Sequence, residues 1–106
     1  MKIIWSDFSI EMLKEIFLYH KEVAGYKIAN RIKTNIFSTT KQLKQHPNSG
    51  QIEPILELLN EGHRYLISGN YKIVYKRVNE GILITDIFDT RQNPMKINNP
   101  ERYPER

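Results

Sequence analysis

The second half of the chain has a strand-like hydrophobic period, and its apolar segments are separated by turns of about three residues. The segments are residues 63–67, 71–77 and 82–88, and the turns are Ser68-Gly69-Asn70 and Asn79-Glu80-Gly81. Loops this short cannot carry the crossover that parallel strands need, so the three segments must pair as an antiparallel meander. This constraint excludes any fold built on a purely parallel sheet.

The first half has helical spacing. A short β-prone run at residues 2–5 is followed by an apolar stripe over residues 10–23, which Gly25 ends, and by a second stripe over residues 26–43. Pro47 and the residues around it stop the second stripe. Two such helices joined at a glycine predict an α-helical hairpin.

The order of these elements predicts an α+β fold. We expect an N-terminal strand and an α-helical hairpin packed on one face of an antiparallel sheet that ends in the three-strand meander. The N-terminal strand is expected at an edge of the sheet, although the order does not say which edge. Residues 51–62 have little pattern, apart from a helical turn expected at 55–59. We treat residues 1–106 as a single domain, with about residues 92–106 as a C-terminal extension.

Composition removes several kinds of functional site. The chain has no cysteine, which excludes a disulfide scaffold, a thiolate metal site and a cysteine nucleophile. His20, His46 and His63 fall in three different elements, so no metal is expected, and a chain of 106 residues has no room for a large internal cofactor cavity, so no cofactor is expected either. The N-terminus lacks the pattern of a signal peptide, and no apolar run approaches the roughly 20 residues of a membrane span. We therefore expect a cytoplasmic protein without a membrane partner.

Positive charge is concentrated in the first half of the chain. The formal net charge is +4, and residues 27–44 contain five lysines or arginines and no acid. Such a stretch favours a polyanion or an acidic protein partner. A helix face that contacts only water explains it equally well, so both interpretations stay open here.

Basic and phenolic side chains gather on the meander and just after it. The basic ones are Arg64, Lys72, Lys76, Arg77 and Arg91. Neighbouring antiparallel strands set such groups about 5 Å apart, so we expect several of them to converge on one phosphate. Cleaving RNA without a metal needs cations, a general base and a proton donor to the leaving oxygen.

Four residues are candidates for the base and the donor: Tyr71, Tyr75, Glu53 and His63. For the two tyrosines there is a structural alternative. They alternate with lysines along one strand, which also predicts that their rings face the core.

The order and spacing of five segments resemble those of a known protein family. They are Ile4-Trp5-Ser6, Pro47-Asn48-Ser49-Gly50, Arg64-Tyr65-Leu66, Asn70 through Tyr75, and Phe88 through Pro94. Together the chain resembles the RelE/ParE family of bacterial toxins, over about residues 2–97. The resemblance implies a toxin of a type II toxin–antitoxin (plasmid-stabilisation) system that a cognate antitoxin holds inactive. The family fold is also a helical hairpin on an antiparallel sheet.

The resemblance also implies two possible targets. RelE-like members cut messenger RNA on the ribosome, whereas ParE-like members poison DNA gyrase. Lys72 and Arg91 fall where RelE-like enzymes place arginines, and Glu53 is similar in place to a glutamate of a related branch. The catalytic tyrosine of RelE-like enzymes has no counterpart, because its position lies near Ile97 and the only later tyrosine is Tyr103. His63 and Tyr65 replace a pair of lysines.

These departures favour a ParE-like toxin acting on gyrase. Arg64, Lys72 and Arg91 are the residues expected to act on the target, with Tyr71 and Glu53 as secondary candidates. Three alternatives stay open: a RelE-like ribosome-dependent endonuclease, a basic nucleic-acid-binding module without toxicity, and an inactive toxin that only binds antitoxin. The antitoxin is expected on the second helix, near Tyr26 and Phe37, and on the exposed face of the sheet. The homo-oligomeric state stays open.

Overall fold

A computed structural model describes residues 1–99 and residue 102. Its helices and strands are β1 (Ile3–Trp5), α1 (Asp7–Ala24), α2 (Tyr26–Thr40), β2 (Gln51–Ile52), β3 (Arg64–Ser68), β4 (Tyr71–Val78) and β5 (Gly81–Asp89). Short 3₁₀ helices form at Lys41–Lys44, Pro54–Leu59 and Pro94–Asn98.

Local chemistry explains the helical hairpin. The Ser6 hydroxyl accepts a hydrogen bond from the Ser9 backbone N–H at 3.0 Å, which caps the first turn of α1. Gly25 ends α1 with a φ of 92°, a conformation that glycine adopts without strain, and its N–H donates to the Lys21 carbonyl at 3.0 Å. α2 then starts directly at Tyr26, and the predicted tight hairpin is confirmed.

The sheet has five strands in the order β1-β5-β4-β3-β2. The antiparallel meander of β3, β4 and β5 is as predicted, and β1 lies at an edge, where it pairs parallel with β5. The sequence pattern missed β2, which at two residues is too short for a detectable period. The predicted α+β class is confirmed.

The main core lies between the hairpin and one face of the sheet. Leu13 of α1 and Ile36 of α2 pack there against Ile73, Ile84 and other residues of the meander. This arrangement confirms that the hairpin covers one face.

The second face of the sheet is partly covered as well, so a smaller part of it than expected is open to an antitoxin. Val74 and Phe88 point to this side and are almost fully buried under Leu56 and Ile97, which come from two of the 3₁₀ helices. Those helices lie in the unpatterned segment and in the C-terminal extension, so part of the extension is packed structure. Tyr103 lies outside the described residues.

No helix within residues 1–99 is long and apolar enough to cross a membrane.

Candidate functional site

The sheet separates the residues that were expected to converge. Tyr71 pairs with Asp89 and Lys72 pairs with Phe88, so Tyr71 faces the hairpin while Lys72 faces the opposite side. The predicted convergence of Arg64, Lys72 and Arg91 on one phosphate is therefore wrong. The physical reason is the two-residue period of a strand, which sends neighbouring side chains to opposite faces.

Lys72 is part of a buried ion pair. Its ammonium donates to Glu53 Oε2 at 2.8 Å and lies 4.2 Å from the centre of the Tyr65 ring. Glu53 is fully buried, and its other carboxylate oxygen caps the Pro54–Leu59 helix by accepting from the Ile55 N–H at 3.3 Å. In this position Lys72 holds a 3₁₀ helix on the sheet.

Arg64 holds the preceding loop. Its guanidinium donates to the Gly50 carbonyl at 2.8 Å and to the Asn48 carbonyl at 3.4 Å. The Gly50 N–H in turn donates to the hydroxyl oxygen of Tyr75, whose ring is buried in the core. The prediction that Tyr71 and Tyr75 face the core is confirmed, because both are buried.

Tyr71 and Arg91 are the two candidates that the structure brings together. Arg91 forms a two-pronged ion pair with Asp89, with Nε–Oδ1 and Nη2–Oδ2 distances of 3.0 and 2.8 Å. Asp89 lies opposite Tyr71 across the β4–β5 pair. The Tyr71 hydroxyl also forms a 2.7 Å hydrogen bond with His20 Nε2 of α1.

The electrostatics of this cluster fix the ionisation states of Tyr71, Asp89 and Arg91 at neutral pH. Burial raises the pKa of Tyr71, and the neighbouring Asp89 carboxylate raises it further. Hydrogen bonds from Arg91 lower the pKa of Asp89, and the same carboxylate raises the pKa of Arg91. At neutral pH the cluster therefore holds a neutral phenol beside a fully ionised arginine–aspartate pair.

A cleft of about 470 Å³ adjoins this cluster. It lies between α1 and the ends of β4 and β5. Its lining includes Met12, Ile16, Tyr19, Tyr71, Asp89 and Arg91. Apolar side chains share this lining with four charged ones, Glu15, Asp89, Arg91 and Arg102, so the cleft can contact both apolar and charged groups of a partner.

Sequence reasoning missed His20 and Asp89 as members of this cluster. His20 follows the buried face of α1 seven residues after Leu13, and Asp89 stands two residues before Arg91 at the end of a strand. Both are weak signals, because only the packing of α1 over β4 and β5 brings His20 to Tyr71.

The other candidate bases are also inaccessible. Glu53 is paired with Lys72, and His63 is 7% exposed, with its Nε2 3.9 Å from Glu61. Ile97, at the position of the missing catalytic tyrosine, is buried in the second cluster of apolar side chains. Among the described residues, no group of three or more His, Asp or Glu side chains could hold a metal ion.

Comparison with known proteins identifies the family. A family model for the ParE toxin of the type II toxin–antitoxin system parDE matches residues 3–94. The chain belongs to the ParE toxin family. The resemblance inferred from sequence is therefore confirmed, and so is its assignment to the ParE-like branch of type II toxins.

One solved structure similar to this ParE-family chain is the chromosomal ParDE toxin–antitoxin system from P. aeruginosa. The two chains superpose with a TM-score of 0.69 at 20% sequence identity, over 84% of this chain and 95% of the other. At this identity the likeness shows a shared fold. No curated protein sequence matches the chain.

Proposed function

We propose that this toxin poisons DNA gyrase and that a cognate antitoxin neutralises it. The main observation that supports this proposal is the match to the ParE toxin family over residues 3–94. Gyrase and an antitoxin partner are what that family leads us to expect. Because gyrase acts on chromosomal DNA, we place the toxin in the cytoplasm.

The geometry of the candidate residues supports a mechanism without RNA cleavage. A general base must reach the 2′-hydroxyl and have a pKa near the working pH. Tyr71 is buried with a raised pKa, and Glu53 is fully buried in an ion pair. His63 is nearly buried as well. None of these three groups meets both requirements.

A direct comparison of the two targets tests the proposal. Purified toxin should inhibit supercoiling by purified gyrase, while primer extension on messenger RNA from toxin-expressing cells should show no codon-phased cuts. Phased cuts that Arg91→Ala abolishes would instead support a ribosome-dependent nuclease. Gyrase that stays fully active at an excess of toxin would also contradict the proposal.

The antitoxin can be sought in the neighbouring reading frame. We expect a small acidic protein of under about 100 residues there, because the toxin's surface charge is positive. Toxin expression should slow bacterial growth, and co-expression of this neighbour should restore it. If there is no such neighbour and growth is unaffected, the chain is not an active toxin.

A further inference from the structure

The outer ridge of α2 is a row of polar side chains with three cations. We define the ridge as Lys27, Arg31, Thr34, Ser38 and Lys41. These residues follow one another at steps of four and three, so they lie on one side of the helix, and all five are exposed. The ridge continues from α2 into the 3₁₀ helix Lys41–Lys44.

The cations of the ridge have no acidic partner in the structure that residues 1–99 and 102 form. None of Lys27, Arg31 and Lys41 takes part in an ion pair there. The chain also has no acid between Glu22 and Glu53. Within the same residues, the hydroxyls of Thr34 and Ser38 make no hydrogen bond either. The whole ridge is available to an anion.

The character of the ridge decides between the two partners that the sequence left open. A protein partner needs apolar anchors, which supply most of the binding energy at such interfaces. The five residues of the ridge are all polar. Tyr26 and Phe37, which are 60% and 41% exposed, lie beside the ridge and pack on Phe17 at 5.9 Å and on Trp5 at 5.1 Å. A phosphate backbone needs only cations and hydrogen-bond donors, which the ridge supplies.

We propose that the outer ridge of α2 binds the phosphate backbone of duplex DNA without sequence preference. Lys27 and Lys41 are separated by about 21 Å of helix at a rise of 1.5 Å per residue. Measured along the axis of duplex DNA, that length corresponds to about six phosphates of each strand. The cations lie on one helical element that fixes their spacing, as a rigid duplex fixes the spacing of its phosphates. The inference does not depend on gyrase being the target, since DNA binding is measured without gyrase.

The test is fluorescence anisotropy of the full chain with a labelled 30-base-pair duplex of arbitrary sequence, titrated at several salt concentrations. With three phosphate contacts, the logarithm of affinity should fall with that of salt at a slope of about −2.7. The variant Lys27→Gln/Arg31→Gln/Lys41→Gln should lose most of the binding, and the slope should shrink by about one for each cation removed.

The matched control is Lys21→Gln/Arg77→Gln/Lys96→Gln, which removes the same charge from exposed positions off the ridge. It should keep most of the affinity and the salt slope of the parent. Both variants change only exposed side chains, so their thermal unfolding should match the parent.

Four outcomes would overturn the proposal. One is that the chain does not bind the duplex at 50 mM salt. Another is that the control variant loses as much affinity for the duplex as the ridge variant, which would show that net charge alone explains the effect. A third is displacement of the duplex by poly-glutamate as readily as by unlabelled DNA at equal charge. The last is a ridge variant that loses antitoxin binding but keeps DNA binding, which would assign the ridge to the antitoxin.

Discussion

At the scale of single residues, Arg102 and Arg91 each form an ion pair with an aspartate, but the two pairs differ in burial. Arg102 donates to both carboxylate oxygens of Asp86, at 2.7 and 2.9 Å, and the Asp86 side chain is only 2% exposed. Arg102 also lies over the rings of Phe8 and Phe88, which ties the chain's C-terminal part to α1 and β5. Arg91 and Asp89 form their pair at the surface, with side chains 55% and 22% exposed.

This difference predicts unequal costs of removing each guanidinium. Arg102→Ala should lower the free energy of unfolding by about 3 kcal/mol, because the buried Asp86 carboxylate loses two charge-assisted hydrogen bonds. Arg91→Ala should lower it by no more than about 1 kcal/mol, because water replaces the partner. Urea denaturation of both variants measures the difference. Equal costs would show that the Asp86 pair contributes no more than a surface pair.

Two buried tyrosines predict how stability depends on alkaline pH. Burial raises the pKa of Tyr71 and of Tyr75 above the ordinary value of 10.0. Above pH 10 the unfolded chain releases these protons while the folded chain keeps them. The stabilisation is therefore fully present below pH 10 and is lost as the pH rises toward the folded pKa values, at up to about 1.4 kcal/mol per pH unit for each tyrosine.

The measurement is the free energy of unfolding between pH 8 and pH 11. Tyr71→Phe should make the alkaline decline shallower, whatever it costs at pH 8, because one of the two shifted groups is gone. An unchanged slope would mean that Tyr71 ionises as readily in the folded chain as in the unfolded one.

At the scale of elements, the 3₁₀ helix Pro54–Leu59 depends on the pair between Lys72 and Glu53. The helix contributes only Leu56 as a fully buried apolar side chain, so the ion pair and the Glu53 cap carry much of its attachment. Lys72→Met alone should destabilise the fold by about 3–5 kcal/mol, because the Glu53 carboxylate loses its partner. Lys72→Met with Glu53→Gln should recover most of that loss.

The same two variants also show whether Lys72 has only a structural role or contacts the target. If Lys72 only holds the helix, the double variant should regain toxicity together with stability in a growth assay. If the double variant folds normally and stays non-toxic, Lys72 contacts the target.

At the scale of the whole molecule, an exposed apolar stripe lies on α1 and the basic ridge lies on α2. Met12, Ile16, Tyr19 and Val23 follow one another along α1 at helical spacing, and Tyr19 and Val23 are 56% and 60% exposed. The first three of them line the cleft beside Arg91. This stripe offers the apolar anchors that the ridge of α2 lacks, so we expect the antitoxin to cover α1 rather than the second helix that the sequence suggested.

Tyr19→Glu with Val23→Glu should therefore weaken antitoxin binding by about 30-fold or more, which corresponds to the loss of about 2 kcal/mol at an interface centre. Leu58→Glu is the control, since Leu58 is 96% exposed on another element. Titration calorimetry with the purified antitoxin measures both variants. Equal affinities would place the antitoxin elsewhere.

The sequence by itself determined the elements and their class. The short turns that begin at Ser68 and Asn79 allow only antiparallel pairing, and Gly25 favours the end of one helix and the start of another, so the meander and the hairpin followed from local chemistry. The same reasoning predicted that Tyr71 and Tyr75 face the core. The resemblance to the toxin family likewise depended on the order and spacing of short segments, which can be read directly from the sequence.

Only the tertiary structure decided which of the candidate residues meet. Tyr71 and Lys72 are neighbours in the chain, yet the pleat of β4 puts one beside His20 and Arg91 and the other beside Glu53. The second apolar layer was also hidden, because its buried residues come from short 3₁₀ helices with no detectable period. Contacts between elements distant in sequence depend on packing, and hydrophobic periodicity reports only which side of an element is apolar.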